Sequence, residues 1–289
     1  YTRAMSSPIT AYDACSRISP YLTYGAISVR EAYQAGCERK MDLKLMKAEK
    51  SMPAADLKLW NSALRSFLGR LRWHCHFIQK LEDEPELEQR NLYRACDGLR
   101  EDQWNEEYYQ AWSQGRTGYP IVDACMRSLR ATGWINFRMR AMLMSFASYH
   151  LWLHWRKTGL HLARLFTDYE PGIHWPQVQM QSGTTGINSI RIYSPAKQSV
   201  DQDPQGIFIR QWVPELQQLP EYYLAEPEKT PEMEQSMYSC RIGIHYPEPV
   251  VEHVTAYKAA QKRIRASRYQ NGSKRERQKI YQKHGSRKR

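Results

Sequence analysis

Two arginines, Arg138 and Arg140, stand at the start of an almost wholly apolar stretch, and their position demands a chemical partner. Residues 141–153 are apolar or aromatic apart from two serines and one histidine, which is typical of a helix buried on most faces. The start of a helix carries partial positive charge, so a buried guanidinium there needs a carboxylate or a bound phosphate. Both a structural ion pair and a ligand-binding site satisfy this requirement.

Helical spacing of apolar residues dominates the chain and predicts an all-α protein. No strand pattern, βαβ repeat or glycine-rich phosphate loop stands out. Segment 171–193 is rich in Gly, Thr, Gln and Ser and is predicted to be a long functional loop. Segment 220–246, rich in proline and glutamate, is predicted to wrap the surface. The predicted helices cover 28–34, 53–81, 105–114, 119–131, 134–157, 159–165 and, with basic character, 253–267.

Positive charge is confined to the end of the chain. Residues 258–289 hold 13 Lys or Arg and one acidic residue, Glu276, whereas residues 1–257 hold 29 basic and 29 acidic residues. The formal charge of +12 therefore belongs to a basic arm that we expect to be flexible or partly helical. Counterion release favours a polyanion such as nucleic acid as its partner, and a tail that only aids solubility is the alternative.

Several classes of protein are disfavoured. The six cysteines form no Cys-x-x-Cys pair, so we expect reduced, structural thiols. His74, Cys75 and His76 are adjacent and point to different helix faces, which favours packing over a metal site. The longest apolar run, of about 13 residues, is shorter than the roughly 20 that cross a bilayer, and no secretory signal is visible. We expect a cytoplasmic monomer without a metal.

Nine tryptophans are spread over the helical region. Core or interface packing is the ordinary role of tryptophan. A chain of closely spaced indoles can also carry electrons, and that role requires a redox cofactor inside the protein.

Four sequence blocks follow one another along the chain: CSRISPYL from Cys15, GRTGYPIVDACMR from Gly115, GWINFRMR from Gly133 and GIFIRQWVPEL from Gly206. Together they resemble the helical FAD-binding domain of the DNA photolyase and cryptochrome family. The resemblance covers residues 1–227, with a weaker match at 245–253, and implies a helical FAD-binding domain at 1–227, a connector at 228–257 and the basic arm at 258–289. The family's N-terminal α/β antenna domain has no counterpart here, so the chain resembles a short photolyase-like protein or an excised fragment.

The resemblance implies FAD as the cofactor and assigns residues to it. Arg140 matches an arginine beside the flavin that pairs with the aspartate matching Asp168, and Arg138 is expected close by. Hydroxyl and backbone donors of one short segment are expected to hold the pyrophosphate, as is reasonable for such groups. That segment is Ser16, Arg17, Ile18 and Ser19. Further cofactor contacts are expected from Tyr1 at the phosphates, Glu170 near the flavin or ribityl chain and His174 opposite flavin N5.

The lesion-facing positions depart from the family pattern. Trp73 matches the tryptophan that stacks on the lesion, but Arg70 stands where many photolyases have the active-site glutamate, and His74 replaces an arginine. Met180 replaces a second lesion-contacting tryptophan. These residues are nevertheless the expected catalytic positions, together with His174.

The electron-transfer tryptophans are also altered. Trp155 matches the middle member of the family's chain, and Trp104 or Trp112 matches the outer one. The position next to the flavin is Val178, which cannot be oxidised, although Trp175 lies three residues earlier and could take its place.

The resemblance implies a blue-light-dependent photolyase that repairs ultraviolet-induced pyrimidine lesions in DNA by photoinduced electron transfer. Met180 and the basic arm favour single-stranded DNA, because flipping a base costs least when it is unpaired. The alternative is a cryptochrome-like photoreceptor or DNA-binding flavoprotein without repair activity. A helical nucleic-acid-binding domain with no flavin is a third reading, and the cysteine spacing argues against iron–sulfur relatives.

Overall fold

The computed structural model describes residues 1–2, 4–268 and 273–285, and in these ranges the chain forms fourteen α-helices and no sheet. This confirms the all-α prediction. In chain order the helices are α1 Ala11–Ala14, α2 Ser19–Thr23, α3 Val29–Ala48, α4 Ala54–Asp83, α5 Glu106–Gln114, α6 Pro120–Thr132, α7 Phe137–Ser145, α8 Trp155–Leu165, α9 Pro171–Ser182, α10 Pro195–Gln202, α11 Ile207–Trp212, α12 Glu232–Met237, α13 His253–Arg268 and α14 Ser273–His284.

Helix α3 is much longer than the predicted 28–34. Ser28 caps it with a reciprocal pair of hydrogen bonds to Glu31, and the helix then runs for 20 residues. Its residues after Gln34 are largely charged and exposed, so the apolar pattern that predicts helices fades there. Helix α6 agrees closely with its prediction, since Pro120 occupies its first turn and Gly133, with φ of 71°, ends it.

The single helix predicted over 134–157 is wrong. Asn136 is extended and α7 starts after it, ending at Ser145. A π-helical turn follows over Phe146–His150, and Trp152 then adopts a left-handed φ of 53° before α8 begins at Trp155. Apolar residues continue through this break because all of it is buried, so hydrophobicity alone does not reveal the interruption.

The loop predicted over 171–193 is wrong in its first half, which is α9. Pro171 lies in the first turn of α9, where the missing N–H of a proline costs no hydrogen bond. The Glu170 carboxylate accepts a hydrogen bond from the Gly172 N–H at 3.3 Å. Pro176 is inside the helix and is tolerated there. Gly183, with φ of 77°, ends the helix, and the irregular segment begins only at that point.

The segment predicted to wrap the surface contributes to the core. Leu224, Cys240 and Tyr246 are fully buried in the main hydrophobic cluster, which is built on α6 and α7. The Tyr246 hydroxyl donates a hydrogen bond to the buried Asp123 carboxylate, which ties this segment to the first turn of α6.

The described part of the basic arm is helical, which is one of the two alternatives expected for it, and it is docked on the rest of the protein. Ile264 of α13 packs against Tyr149 and Trp152, and Ile280 of α14 packs against Tyr93. The rest of the arm, 269–272 and 286–289, lies outside the described residues. None of the helices in the described ranges combines the length and the apolar composition needed to cross a membrane.

Candidate cofactor cavity

A cavity of about 620 Å³ lies between the N-terminal segment, the middle of α4, the start of α7 and one face of α9. Its size is that of a site for a small molecule or cofactor. The predicted cofactor residues on its wall are Tyr1, Ser16, Arg17, Ile18, Ser19, Arg140, Asp168, Glu170 and His174. The predicted catalytic residues on its wall are Arg70, Trp73, His174 and Met180.

Arg140 has a carboxylate partner within the chain. Its two terminal nitrogens donate to the two oxygens of Asp168 at 2.9 and 3.0 Å, and its Nε donates to the Ile135 carbonyl at 2.7 Å. Asp168 also accepts a 2.7 Å hydrogen bond from the Ser19 hydroxyl. The guanidinium lies 4.2 Å from the centre of the Phe166 ring. This network fixes the planar cation on the cavity wall and joins the N-terminal segment to α7.

Arg138, the other arginine at the start of the apolar stretch, does not line the cavity. Its Nε is buried and has no hydrogen-bond partner among the described residues. The two arginines are two positions apart on a helix, so they point to different faces.

The segment from Ser16 to Ser19 lines the cavity and alternates in backbone conformation. Arg17 adopts a left-handed φ of 53°, and Ile18 follows in the right-handed helical region. Alternation of this kind turns successive N–H groups toward one point and forms a concavity that binds anions. The strain of a non-glycine residue in this conformation, about 1–3 kcal/mol, is typical of functional sites. The Arg17 guanidinium lies 3.5 Å from the centre of the Tyr12 ring, which holds it flat against the segment.

Three buried polar atoms on residues of the cavity wall have no hydrogen-bond partner among the described residues. They are Asn136 Oδ1, Gln177 Oε1 and His74 Nδ1. A buried polar atom without a partner is costly, so such atoms mark a place where a polar ligand is expected. Amide oxygens accept hydrogen bonds from N–H or O–H groups, which heterocyclic rings and sugars carry. These atoms and the anion-binding segment together fit a phosphate-containing heterocyclic cofactor.

His174 is neutral at physiological pH. Its Nε2 lies 2.9 Å from the Gly159 carbonyl oxygen, and because a carbonyl only accepts, Nε2 carries the proton. Burial lowers the pKa of His174 to about 4. Nδ1 therefore carries a lone pair, and the ring is held between Tyr169 and Trp175 at centroid distances of 5.3 and 4.9 Å.

Trp73 forms part of the cavity mouth, since it lines the cavity while half of its surface is exposed to solvent. Its ring packs against Phe77 at 5.7 Å and edge-on against His76 at 5.2 Å. Arg70 lies one turn earlier on α4 and also lines the cavity. An exposed indole beside a cation is the surface that a nucleobase with its phosphate would meet.

Trp175 and Trp155 form a buried pair behind the cavity wall. Their ring centroids are 6.0 Å apart, and the Trp175 indole donates to the Tyr169 hydroxyl at 3.1 Å. Trp104 and Trp112 lie in another aromatic group, where each packs against Tyr109. In the described part of the chain, no ring contact joins this group to the Trp155–Trp175 pair.

The sequence prediction missed several cavity residues because it did not identify α9 as a helix. Glu170, His174, Gln177 and Gln181 recur at intervals of three or four and all line the cavity. That spacing places them on one helix face, which is the signal that would have found the two glutamines. Trp134 and Asn136, just before α7, were also missed and lie within the quoted GWINFRMR block.

An all-helical fold with an anion-binding segment and a fixed arginine–aspartate pair around one large cavity defines a protein that binds a phosphate-containing cofactor. The sequence profile described as "FAD binding domain of DNA photolyase" matches residues 67–266. The chain belongs to this family, and its cofactor is FAD.

Relatives of both functional types are similar to the chain. A deoxyribodipyrimidine photo-lyase of Alkalihalophilus pseudofirmus is 33% identical over 85% of this chain and 48% of its own length. Cryptochrome-2 of Arabidopsis thaliana is 33% identical over 92% of this chain and 42% of its own length. The crystal structure of a bacterial class III photolyase from Agrobacterium tumefaciens superposes with a TM-score of 0.78 at 28% identity, covering 92% of this chain and 52% of that one. The chain thus spans about half the length of the relatives it matches.

Proposed function

We propose that this protein repairs ultraviolet-induced pyrimidine lesions in DNA under blue light. The observation that carries the proposal is Trp73, an exposed indole at the mouth of the FAD cavity. A base taken out of the DNA stack needs an aromatic surface to lie on, and stacking of this kind contributes about 1–3 kcal/mol per base. Reduced FAD, when bound in the cavity, would supply the light-excited electron needed to split the lesion.

The residues of the cavity divide into cofactor-holding and lesion-facing groups. Arg140 and Asp168 orient the flavin end of the cofactor, and the backbone donors from Ser16 to Ser19 hold the pyrophosphate, with contacts from Tyr1 and Glu170. His174, neutral and held by Gly159, adds no positive charge beside the ring.

The lesion-facing group favours a single-stranded substrate. Met180 offers an apolar surface without an aromatic face, so Trp73 is the main stacking platform at the mouth. Arg70 contributes a positive charge that suits a phosphate and cannot accept a hydrogen bond from a base. With fewer groups that compensate for flipping, the enzyme depends on lesions whose bases are already unpaired.

A repair assay with matched tryptophan variants tests the proposal. Purified, flavin-loaded protein is illuminated with single- and double-stranded oligonucleotides that carry a pyrimidine dimer or a (6-4) product, and loss of the lesion is measured. We expect repair, faster on single strands, and at least about a tenfold loss of repair efficiency for Trp73→Ala from lost stacking. Trp60→Ala, at another exposed tryptophan of α4 outside the cavity, should retain wild-type repair. No light-dependent loss of either lesion on either strand form would refute the proposal.

The second candidate function is a cryptochrome-like photoreceptor, and Arg70 is the observation that favours it. A cation stands at the cavity mouth where a lesion-binding carboxylate would be expected, so base recognition is weakened. The same illumination experiment separates the two functions. A photoreceptor would reduce its flavin in blue light and leave every lesion intact.

We propose that electrons reach the flavin through Trp175 and Trp155. Trp175 lies behind the cavity wall against His174, and Trp155 is its edge-to-face neighbour. Anaerobic blue-light reduction of the bound flavin should slow about tenfold or more in Trp175→Phe and in Trp155→Phe, because phenylalanine is far harder to oxidise than tryptophan. Trp112→Phe, in the other aromatic group, should reduce at the wild-type rate. Equal rates in all three variants would exclude this route.

A further inference from the structure

A second, smaller cleft of about 190 Å³ lies at the C-terminal end of α4, where residues 84–94 meet α14. Basic side chains dominate its wall, and two carboxylates, those of Glu84 and Glu86, accompany them. The basic residues are Arg90, Arg94, Lys279, Lys283 and His284.

The carboxylates of the cleft neutralise only part of its positive charge. Glu86 pairs with Arg94 and lies 3.6 Å from Arg90, and Glu84 pairs with Lys283. Lys279 is exposed and forms no ion pair with any residue that the structure describes. The wall of the cleft thus carries four permanently charged cations and two anions. A third carboxylate, that of Glu276, accepts a hydrogen bond from the Arg94 N–H beside the cleft and reduces its net positive charge without cancelling it.

His284 supplies an unmatched polar atom inside the cleft. Its side chain is 2% exposed, and its Nε2 has no hydrogen-bond partner in the described ranges, since Glu84 Oε2 is 3.8 Å away. Burial lowers the pKa of His284, and the nearby buried ammonium of Lys80 lowers it further. In the tautomer that carries its proton on Nε2, this nitrogen can donate a hydrogen bond to an anionic oxygen that enters the cleft.

One rigid helix connects this cleft to the mouth of the FAD cavity. Trp73, His76 and Lys80 follow each other at helical spacing on one face of α4, which leads from the exposed indole toward His284. The ten residue steps from Trp73 to Asp83 span about 15 Å of helix. At about 3.4 Å or more per nucleotide, no more than about five nucleotides cover that distance.

We propose that the cleft between residues 84–94 and α14 binds backbone phosphates of the DNA strand whose base enters the FAD cavity. This inference rests on the proposed function for the identity of the strand. The docked helix α14 then acts as a clamp on the flanking nucleotides, and the basic character of the arm is directed to a defined place on the surface.

Binding of an undamaged oligonucleotide in the dark tests the cleft separately from repair. The affinity of the full-length flavoprotein for single-stranded DNA of about 12 nucleotides is measured over a series of salt concentrations. The Arg90→Gln/Lys279→Gln double variant removes two cleft charges, and each phosphate contact accounts for about 0.7 of the slope of log affinity against log salt. We expect this variant to bind more weakly and its slope to fall by about 1.4.

The matched control removes two charges elsewhere on the arm. Lys258→Gln/Lys274→Gln changes exposed residues of α13 and α14 outside the cleft and should keep the wild-type slope. If both double variants lose the same DNA affinity and salt dependence, binding depends on the overall charge of the arm, and the proposal for the cleft is wrong.

Two further arms of the experiment distinguish other sources of anion. The cleft would be a site for free phosphate if millimolar inorganic phosphate competes for it while the cleft variant keeps the wild-type salt dependence of DNA binding. A cleft-dependent loss of binding only to anionic lipid vesicles would mark a membrane contact. Either result overturns the proposal, whereas a cleft-dependent slope in a protein that repairs nothing would refute only the repair function.

Discussion

At the scale of single residues, the Arg140–Asp168 pair has two roles. Asp168 neutralises a guanidinium at the positive end of α7, and with Ser19 it holds the N-terminal segment against the cavity. A structural ion pair and a ligand-binding site, the two roles that the sequence allows for the arginine, are therefore compatible. The pair is a structural bond, and its cation lines the cavity.

Asp168→Asn should weaken both stability and flavin binding. The amide keeps the size of the side chain but leaves the Arg140 cation without an anion. Because Arg140 is 23% exposed, we expect a loss of about 2–3 kcal/mol, below the 3–5 kcal/mol typical of a fully buried pair. Denaturant unfolding and the flavin-to-protein ratio measure the two effects. Asp201→Asn, at an exposed i,i+4 pair with Lys197, should change neither, and an Asp168 variant that matches this control would show the pair to be dispensable.

His174 should contribute a pH dependence to stability. Its pKa is about 4 in the folded protein and about 6.5 in an unfolded chain, so between these values the unfolded state binds more protons. Its contribution is complete above pH 6.5 and is lost as the pH falls toward 4, by roughly 3 kcal/mol in total.

The His174→Gln variant measures this contribution. Its free energy of unfolding should rise less steeply with pH between about 4 and 6.5 than that of the wild type. Other buried histidines with a lowered pKa also make the protein more stable as the pH rises. The contribution of His174 is therefore the difference in pH dependence between the wild type and the variant. His245→Gln, at an exposed position, is the control. Parallel curves for wild type and His174→Gln would contradict the assignment.

At the scale of secondary structure, the close contact of α4 with α9 brings the cofactor wall and the cavity mouth together. The helices approach at Gly172, where an added Cβ would lie 2.7 Å from the Ile78 Cα. Backbone atoms cannot move aside as a flexible side chain can, so only glycine allows this approach. Trp73 on α4 and His174 on α9 line the same cavity because of it.

Gly172→Ala should therefore destabilise the protein by about 1–3 kcal/mol and lower its flavin content. Gly69→Ala is the matched comparison, because a Cβ at that position of α4 meets no atom within 4 Å. It should stabilise the protein by about 0.5–1 kcal/mol through helix propensity. Denaturant unfolding of both variants is the measurement. A change in unfolding free energy of the same sign in both variants would contradict the described packing of α4 on α9.

At the scale of the whole molecule, the basic arm is part of the folded body over its described length. Residues 1–257 carry no net charge, so the field of the protein is set by α13 and α14 where they dock. A docked arm presents its charges in fixed positions, whereas a mobile one would only raise the local concentration of cations.

Ile280→Ala tests whether α14 is docked. Ile280 is 7% exposed against Tyr93, so its truncation should cost about 2–4 kcal/mol of unfolding free energy. The neighbouring Tyr281 is 61% exposed, and Tyr281→Ala should cost little. Limited proteolysis should in addition release the arm faster from Ile280→Ala. Equal stability of the two variants would show that α14 is not docked on the rest of the protein.

Much of the fold was predictable because local signals there agree with tertiary structure. The helix over Pro120–Thr132 has a proline at its start, a glycine after its end and apolar residues at helical spacing, and all three signals are local. The Arg140–Asp168 partnership followed from the family resemblance and from the need of a buried cation for an anion. Helix α9 was missed because Gly172 and Pro176 normally indicate a loop, and packing against Ile78 overrides that tendency.

The sequence by itself determined the all-α class and the FAD family, and it named most of the residues that the structure places on the cavity wall, because these depend on residue type, spacing and motif order. Tertiary structure alone decided that the apolar run breaks at Trp152, that Trp175 packs against Trp155 and that α14 closes a cationic cleft. These outcomes depend on contacts between residues far apart in the chain, and no local pattern encodes the distance between such residues.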